Sequence, residues 1–98
     1  MIRQSYAIER DGGTITLTLE IYEEEGRTIC GLYRFEGSVP FPPKRWLRVI
    51  REEMQTLERI VREAGCEELR LGGRDWSRIL PDYQPLDGIP NGLVKRLR

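Results

Sequence analysis

The clearest pattern in this chain is a strict alternation of apolar and polar residues over residues 14–22. Such alternation is typical of a β-strand with one buried face and one solvated face. Residues 5–10 predict a preceding strand that ends at a Gly-rich turn. The polar loop 23–27 and the β-prone segment 28–35 predict a returning strand. The N-terminal part is therefore predicted to be an antiparallel hairpin or meander. The residues expected on the buried face of the strongest strand are Ile15, Leu17, Leu19 and Ile21.

Residues 44–64 follow a helical period instead. At about 100° per residue, their apolar side chains fall on one arc of roughly 160°. Residues 36–43, with three prolines within 40–43, predict a rigid extended connector before this helix, and Pro43 is suited to the first turn of the helix. Gly65 predicts its end. The arc is wider than a surface helix needs, so a homodimer is a hypothesis at this stage. The residues on the arc are Trp46, Leu47, Val49, Ile50, Met54, Leu57, Ile60, Val61 and Ala64.

The remaining residues predict smaller elements. Residues 67–71 form a strand, which the helical crossover should place parallel to the strand before the helix. Asp75 is expected to cap a short helix over 76–80 that Pro81 ends. Residues 85–91 are predicted to be a loop, and 92–97 a last strand. The fold class is thus α/β (α+β), with one domain over residues 1–98.

Composition narrows the chemistry. The 98 residues include 16 basic and 16 acidic side chains, whereas nucleic-acid binders usually have a clear basic excess. The absence of histidine excludes Ser-His and Cys-His nucleophile pairs and histidine metal sites. Cys30 and Cys66 are expected to be buried and reduced. No apolar run reaches the ~20 residues of a membrane span, and no signal core follows Met1, so a cytoplasmic location without membrane attachment is expected.

Arginines segregate on one side of the predicted helix despite the zero net charge. Arg48, Arg51, Arg59 and Arg62 lie with Lys44 within an arc of about 80°. This basic stripe is a candidate surface for an acidic protein partner or a phosphate backbone. The alternative is a solvated face with i,i+4 ion pairs, such as Glu58 with Arg62 and Arg59 with Glu63.

Three further features have a functional and a structural interpretation. The glycine-rich turn that ends in Arg74 and Asp75 is a candidate anion site, or only a strand-to-helix turn. Trp76 and Tyr83 are candidate contact residues, or part of the core. The acidic run 23–25 is a candidate cation site, although side chains diverge at a hairpin tip. No catalytic, metal or cofactor residue is predicted from these patterns.

Residues 62–71 (REAGCEELRL) and 73–83 (GRDWSRILPDY) resemble small phage and prophage proteins with a partial GNAT N-acetyltransferase fold. The resemblance covers about residues 27–98. It implies an acetyl-CoA-binding half in which the cofactor's pyrophosphate rests on backbone amides before the long helix. It also implies a general-acid tyrosine in the last helix.

The chain departs from that family at both functional positions. Residues 40–45 (PFPPKR) replace the family's glycine-rich phosphate loop, and proline has no N–H to donate. Tyr83 matches a structural aromatic position better than that of the acid, whose place falls near Arg78 or Ile79. We therefore expect a non-catalytic protein-interaction module, phage-encoded and without a cofactor, that acts on a host or phage protein. The alternatives are a divergent acetyl-CoA-dependent N-acetyltransferase and, more weakly supported, nucleic-acid binding through the basic stripe.

Overall fold

The part of the chain that the structure describes forms one mixed sheet and one helix. The computed structural model describes residues 2–10, 12–38, 43–73 and 75–98. The sheet has six strands in the order β1-β2-β3-β4-β6-β5, and β3–β4 is its parallel pair among the described residues. The elements are β1 (Ile2–Arg10), β2 (Gly13–Glu24), β3 (Arg27–Ser38), α1 (Pro43–Glu63), β4 (Glu68–Leu71), β5 (Gln84–Pro85) and β6 (Leu93–Arg96).

This architecture confirms the predicted fold class. The N-terminal strands form an antiparallel meander, and α1 crosses over to place β4 parallel to β3. The three N-terminal strands are longer than predicted: β2 extends further at both ends because each hairpin turn is tight, whereas β1 begins earlier, at Ile2, and β3 ends later, at Ser38. Arg10 pairs with Gly13, and Glu24 pairs with Arg27. The predicted connector 36–43 begins later than expected, since 36–38 belong to β3, and residues 39–42 lie outside the described residues.

Gly65 ends the long helix as predicted. Its φ of 97° lies in the left-handed region, which glycine adopts without a Cβ penalty. The Gly65 N–H donates to the Arg62 carbonyl at 3.0 Å, and the Cys66 N–H donates to the Val61 carbonyl at 2.9 Å. This pair of bonds is a Schellman motif, which satisfies carbonyls that the helix leaves open. It also turns the chain directly into β4.

The predicted short helix over 76–80 is wrong. The chain makes a single turn there, in which the Leu80 N–H donates to the Trp76 carbonyl at 2.9 Å. Asp75 Oδ1 accepts hydrogen bonds from the N–H and the hydroxyl of Ser77, so the cap forms although no helix follows. The predicted loop 85–91 is also corrected at its start, because Gln84–Pro85 pairs with β6 as a short strand.

The core lies between α1 and the sheet face that alternation predicted. Ile15, Leu17 and Leu19 of β2 are buried there with Ile50 and Met54 of α1. The predicted apolar arc of α1 is only partly covered, since Ile60 is 52% exposed. The side chain of Trp46, which the arc includes, lies outside the described residues. One face of the sheet therefore holds nearly all of the apolar packing.

The opposite face of the sheet is mainly polar and is held by ion pairs. Glu68 of β4 is buried and contacts Arg27 and Arg70. Arg70 Nη2 lies 2.9 Å from Glu68 Oε2 and 2.7 Å from Glu24 Oε2. Because these residues come from β2, β3 and β4, the cluster connects three strands. Glu24 belongs to the acidic run that was a candidate cation site, and here it pairs with arginine.

Both cysteines are buried and reduced, as predicted. Burial raises the pKa of the Cys30 thiol to about 12, and the nearby Cys66 adds to this effect. Burial also raises the pKa of Cys66. Since the thiolate is the reactive form of cysteine, both side chains act as small apolar residues.

The contrast between two isoleucines of α1 tests this packing. Ile50 is 1% exposed, so Ile50→Ala should lower the free energy of unfolding by about 2–5 kcal/mol. Ile60→Ala removes the same atoms from a half-exposed side chain and should cost less than about 1 kcal/mol. Urea denaturation of both variants measures the difference. Equal losses at the two positions would show that α1 presents a different face to the sheet.

Candidate functional site

An apolar groove with a volume of about 290 Å³ lies between α1 and the first two strands. We call it the β1–α1 groove. Ile2, Tyr6 and Ile8 of β1 form one wall, and Ile60 lies on the α1 wall. Its other lining residues are Gln4, Ala7, Leu17, Leu19, Ile21, Glu53, Thr56, Leu57, Val61 and Ala64.

The groove exists because α1 does not extend over β1. Register places Tyr6 beside Leu17, and Leu17 is almost fully buried whereas Tyr6 is 44% exposed. Ile2, at the end of the same wall, is 59% exposed. Exposed apolar side chains that cluster around a concavity mark binding surfaces more often than isolated ones do. The geometry suits an apolar segment of a protein rather than a polar small molecule.

A buried polar cluster joins α1 to the C-terminal part of the chain. Lys95 Nζ lies 2.6 Å from Glu58 Oε1, and the Tyr83 hydroxyl donates to Glu58 Oε2 at 3.2 Å. The Lys95 ammonium also lies 5.6 Å from the centre of the Tyr83 ring, within cation–π range. Glu58 thus pairs with Lys95, and this corrects the expected helical pair with Arg62. A buried carboxylate with two partners avoids the cost of an unpaired charge.

Burial raises the pKa of the Tyr83 phenol well above its ordinary value, and the adjacent Glu58 carboxylate raises it further. Because the Tyr83 phenol keeps its proton and is enclosed by α1 and β6, we assign Tyr83 a structural role. Trp76 and Tyr83 are 8% and 6% exposed, so both belong to the core. The structural interpretation of these two candidate contact residues therefore fits better, and neither of them lines the β1–α1 groove.

The end of the β3–β4 pairing is filled on the α1 side, but a pocket of about 150 Å³ lies beside it and is lined by Gly31, Leu32, Leu71 and Gly72. The parallel pairing of β3 with β4 stops at Leu32 and Leu71, although β3 continues to Ser38. On the α1 side of this point, Trp76 and Leu80 pack against Leu32 and leave a cavity of only about 10 Å³. That volume is about the minimum for one water molecule.

The strand β3 has a bulge close to the same point. Leu32 pairs with Leu19 and Arg34 with Thr18, so Tyr33 has no partner in β2. An extra residue of this kind bends a strand and increases its twist. Sequence reasoning missed this feature, since only the break in pairing register reveals it.

The predicted basic stripe is on the surface. Arg48, Arg51, Arg59 and Arg62 are all exposed, and Arg51 Nε donates to the Ile79 carbonyl at 3.3 Å. Their role in binding stays a prediction. Arg74 lies outside the described residues. Among the described residues, no group of three or more acidic or cysteine side chains is arranged to hold a metal ion, and no helix is long and apolar enough to cross a membrane.

Comparisons with known proteins support the fold. No protein-family profile matches the chain. No curated protein sequence matches it either. Among solved structures, a mutant of the toxin AtaT bound to the C-terminus of the antitoxin AtaR and to acetyl-CoA is similar, with a TM-score of 0.55 and 17% sequence identity.

The similarity covers 87% of this chain and 58% of the AtaT chain, so this chain corresponds to little more than half of that toxin. AtaT has a GNAT fold, and the described sheet and helix resemble one half of it. At this identity the likeness concerns the fold alone. The expected GNAT-like scaffold is confirmed at that level.

The buried phenol predicts how stability depends on pH. Folded Tyr83 keeps its proton at pH values where an unfolded tyrosine, with a pKa of about 10, has lost it. The contribution of Tyr83 to the free energy of unfolding is therefore complete below about pH 10 and is lost as the pH rises above that value. Urea denaturation between about pH 8 and 11 should show this decline, added to one that begins at lower pH because burial also raises the pKa of the Cys30 and Cys66 thiols.

Tyr83→Phe should lower stability by about 1 kcal/mol at neutral pH, because the Glu58 bond is lost, and should flatten the alkaline decline. Tyr6→Phe, which changes an exposed tyrosine, is the matched control and should keep the wild-type pH dependence. An unchanged decline in Tyr83→Phe would contradict the assignment.

Proposed function

We propose that this chain is a non-catalytic protein-interaction module on a GNAT-like scaffold, and that the β1–α1 groove is its contact surface. The observation that supports this most directly is the set of exposed apolar side chains around that groove, Ile2, Tyr6 and Ile60. When a partner covers exposed apolar side chains of this kind, their removal from water contributes a favourable free energy to binding.

Two observations argue against retained acetyl transfer. Core side chains fill the α1 side of the gap beside Leu32, so a thioester arm would have only the pocket beside Gly31 and Gly72. Tyr83 holds its proton strongly and donates to Glu58, so it is not placed to protonate a leaving group. Prolines at positions 40, 42 and 43 also lack the N–H groups that would bind a pyrophosphate.

The solved neighbour suggests a kind of partner. The AtaT toxin is bound to a segment of its antitoxin, which is a protein–protein contact made by a related scaffold. Together with the resemblance of residues 62–83 to phage proteins, this favours a host or phage protein as the partner of the present chain. An amphipathic segment that presents one apolar side fits a groove of about 290 Å³.

Divergent acetyl-CoA-dependent N-acetyltransferase activity is the second candidate. It is favoured by the shared fold with a toxin that binds acetyl-CoA and by the early end of the β3–β4 pairing. This candidate requires a cofactor to use the pocket of about 150 Å³ beside Gly31, Leu71 and Gly72, or Trp76 and Leu80 to move apart.

Calorimetric titration of the purified chain with acetyl-CoA, and with CoA as the matched control, separates the two candidates. We expect no saturable heat with either ligand, because the prolines at positions 40, 42 and 43 have no N–H to donate to a pyrophosphate. A dissociation constant in the micromolar range would contradict the non-catalytic proposal and support the second candidate.

Site-specific photocrosslinking tests the groove itself. A benzophenone amino acid at position 60, in the cells that express the protein, should form an adduct with one defined protein. The same probe at the exposed Gln55, which faces away from the groove on α1, is the control and should not form it.

The crosslinked protein should then bind the purified chain directly, and Ile60→Glu should weaken that binding by about tenfold or more, since it puts a charge on an apolar contact. Gln55→Glu adds the same charge outside the groove and should leave the affinity unchanged. Identical adducts at both positions, or an affinity that is insensitive to Ile60→Glu, would contradict the proposal.

A further inference from the structure

The outer strand β1 is an unusually open sheet edge. All nine of its residues pair with β2 in one unbroken register, and no described strand lies on its other side. The strand contains no proline and no glycine, and it has no bulge. Natural edge strands are usually protected by prolines, bulges or charged side chains, because a regular edge exposes a row of unpaired N–H and C=O groups, and of these β1 has only the charges of Arg3, Glu9 and Arg10.

The residues of β1 are complementary to a second copy of the same strand. An antiparallel pairing that uses the full length joins residues whose numbers sum to 12, since the strand runs from 2 to 10. Tyr6 then lies on the two-fold axis, and Arg3 lies opposite Glu9 of the second copy. In this register every odd residue lies opposite an odd residue and every even residue opposite an even one. The N–H and C=O groups of β1 that point away from β2 therefore face those of the second copy.

Charge selects this register over its neighbours. Symmetry produces two Arg3–Glu9 pairs, one on each side of the axis. A shift of two residues in one direction places Arg3 opposite Ala7, and a shift in the other direction places Glu9 opposite Ser5 and Arg3 opposite Asp11, beyond the end of β1, so only the full-length register pairs opposite charges within the strands. Arg3 also bonds to Glu20 of its own sheet, with its Nε 2.7 Å from Glu20 Oε1, which keeps the guanidinium on the polar face.

The apolar face favours the same arrangement. The two-fold axis is perpendicular to the sheet, so both copies of α1 lie on the same side. Ile2, Tyr6 and Ile8 of one copy then adjoin those of the other, and the 59% and 44% exposures of Ile2 and Tyr6 fall. A two-fold dimer of this kind is the commonest form of protein oligomer.

We propose that the chain forms a symmetric dimer by antiparallel pairing of β1 with β1 of a second copy, in the register that places Arg3 opposite Glu9. The dimer goes beyond the proposed function and does not depend on it, because it needs no other protein. It brings the two β1–α1 grooves together across the axis, while Ile60 on each α1 remains available to a partner.

Analytical ultracentrifugation of the purified chain tests the dimer. The wild type should approach twice the 11.5 kDa monomer mass as its concentration rises. Glu9→Arg alone and Arg3→Glu alone each place like charges opposite one another, and each should weaken dimerisation by about tenfold or more. An equimolar mixture of the two variants restores both opposite-charge pairs and should return to the dimer mass.

A cysteine on the two-fold axis tests the register independently. Tyr6→Cys places two thiols directly opposite each other, at the Cα separation of about 4.5–5.5 Å that a disulfide accepts. Mild oxidation should give a covalent dimer. Ile8→Cys is the control and should not, because Gln4 lies opposite it.

The outcomes separate the dimer from the proposed function. A wild-type chain that stays monomeric up to its solubility limit would overturn the dimer, and so would a dimer that the charge variants do not weaken or that their mixture does not restore. Either result would leave the crosslinking result at position 60 unaffected. A dimer in solution without an adduct at position 60 would contradict only the proposed function.

Discussion

A single helix has to cover the apolar face of a six-stranded sheet, and the rest of the structure depends on this constraint. Six strands spaced about 4.8 Å apart extend over about 24 Å, whereas a helix with its side chains is about 10 Å wide. The helix α1 therefore covers the middle of the sheet, where Leu19, Cys30 and Leu69 are buried. The apolar faces of the outer strands must be covered by other residues, and this happens to a different extent on the β6 side and on the β1 side.

On the side of β6, residues 76–83 supply the missing cover. Trp76, Leu80 and Tyr83 are buried there against α1 and the sheet. The Glu58 carboxylate holds this segment in place through Tyr83 and Lys95. The same side chains fill the α1 side of the position where β3 and β4 stop pairing, next to Leu32 and Leu71.

Periodicity predicted the elements that local sequence determines. The helix bounds differ from the prediction by one residue at each end, because the 3.6-residue period and Gly65 are local signals. The predicted helix over 76–80 failed because five residues cannot offset the cost of helix nucleation without strong caps at both ends. Its Trp76 still packs, since packing depends on the surrounding core rather than on helix formation.

Contacts between distant residues were outside the reach of sequence reasoning. Glu58 was assigned to its helical neighbour Arg62, but its partner Lys95 is 37 residues away along the chain. The bulge at Tyr33 and the burial of Tyr83 likewise arise only when strands and helix are assembled. One feature of the sequence did indicate an uncovered apolar surface at the groove. The apolar arc of α1 was wider than one sheet face needs, and Ile60 is the part of it that the fold leaves open.

The side of β1 has no such cover. No described segment lies over Tyr6 and Ile2, so the apolar wall and the free backbone edge of β1 are exposed together. These are different kinds of surface. The apolar side chains of the wall can be buried by any apolar contact, whereas the unpaired N–H and C=O groups of the edge need another strand in register. A helical segment of another protein satisfies only the wall. A second copy of β1 satisfies the edge along its full length and part of the wall, and it leaves the α1 side open. The two contacts can therefore coexist, because one constraint of the fold leaves two different surfaces open at the same place.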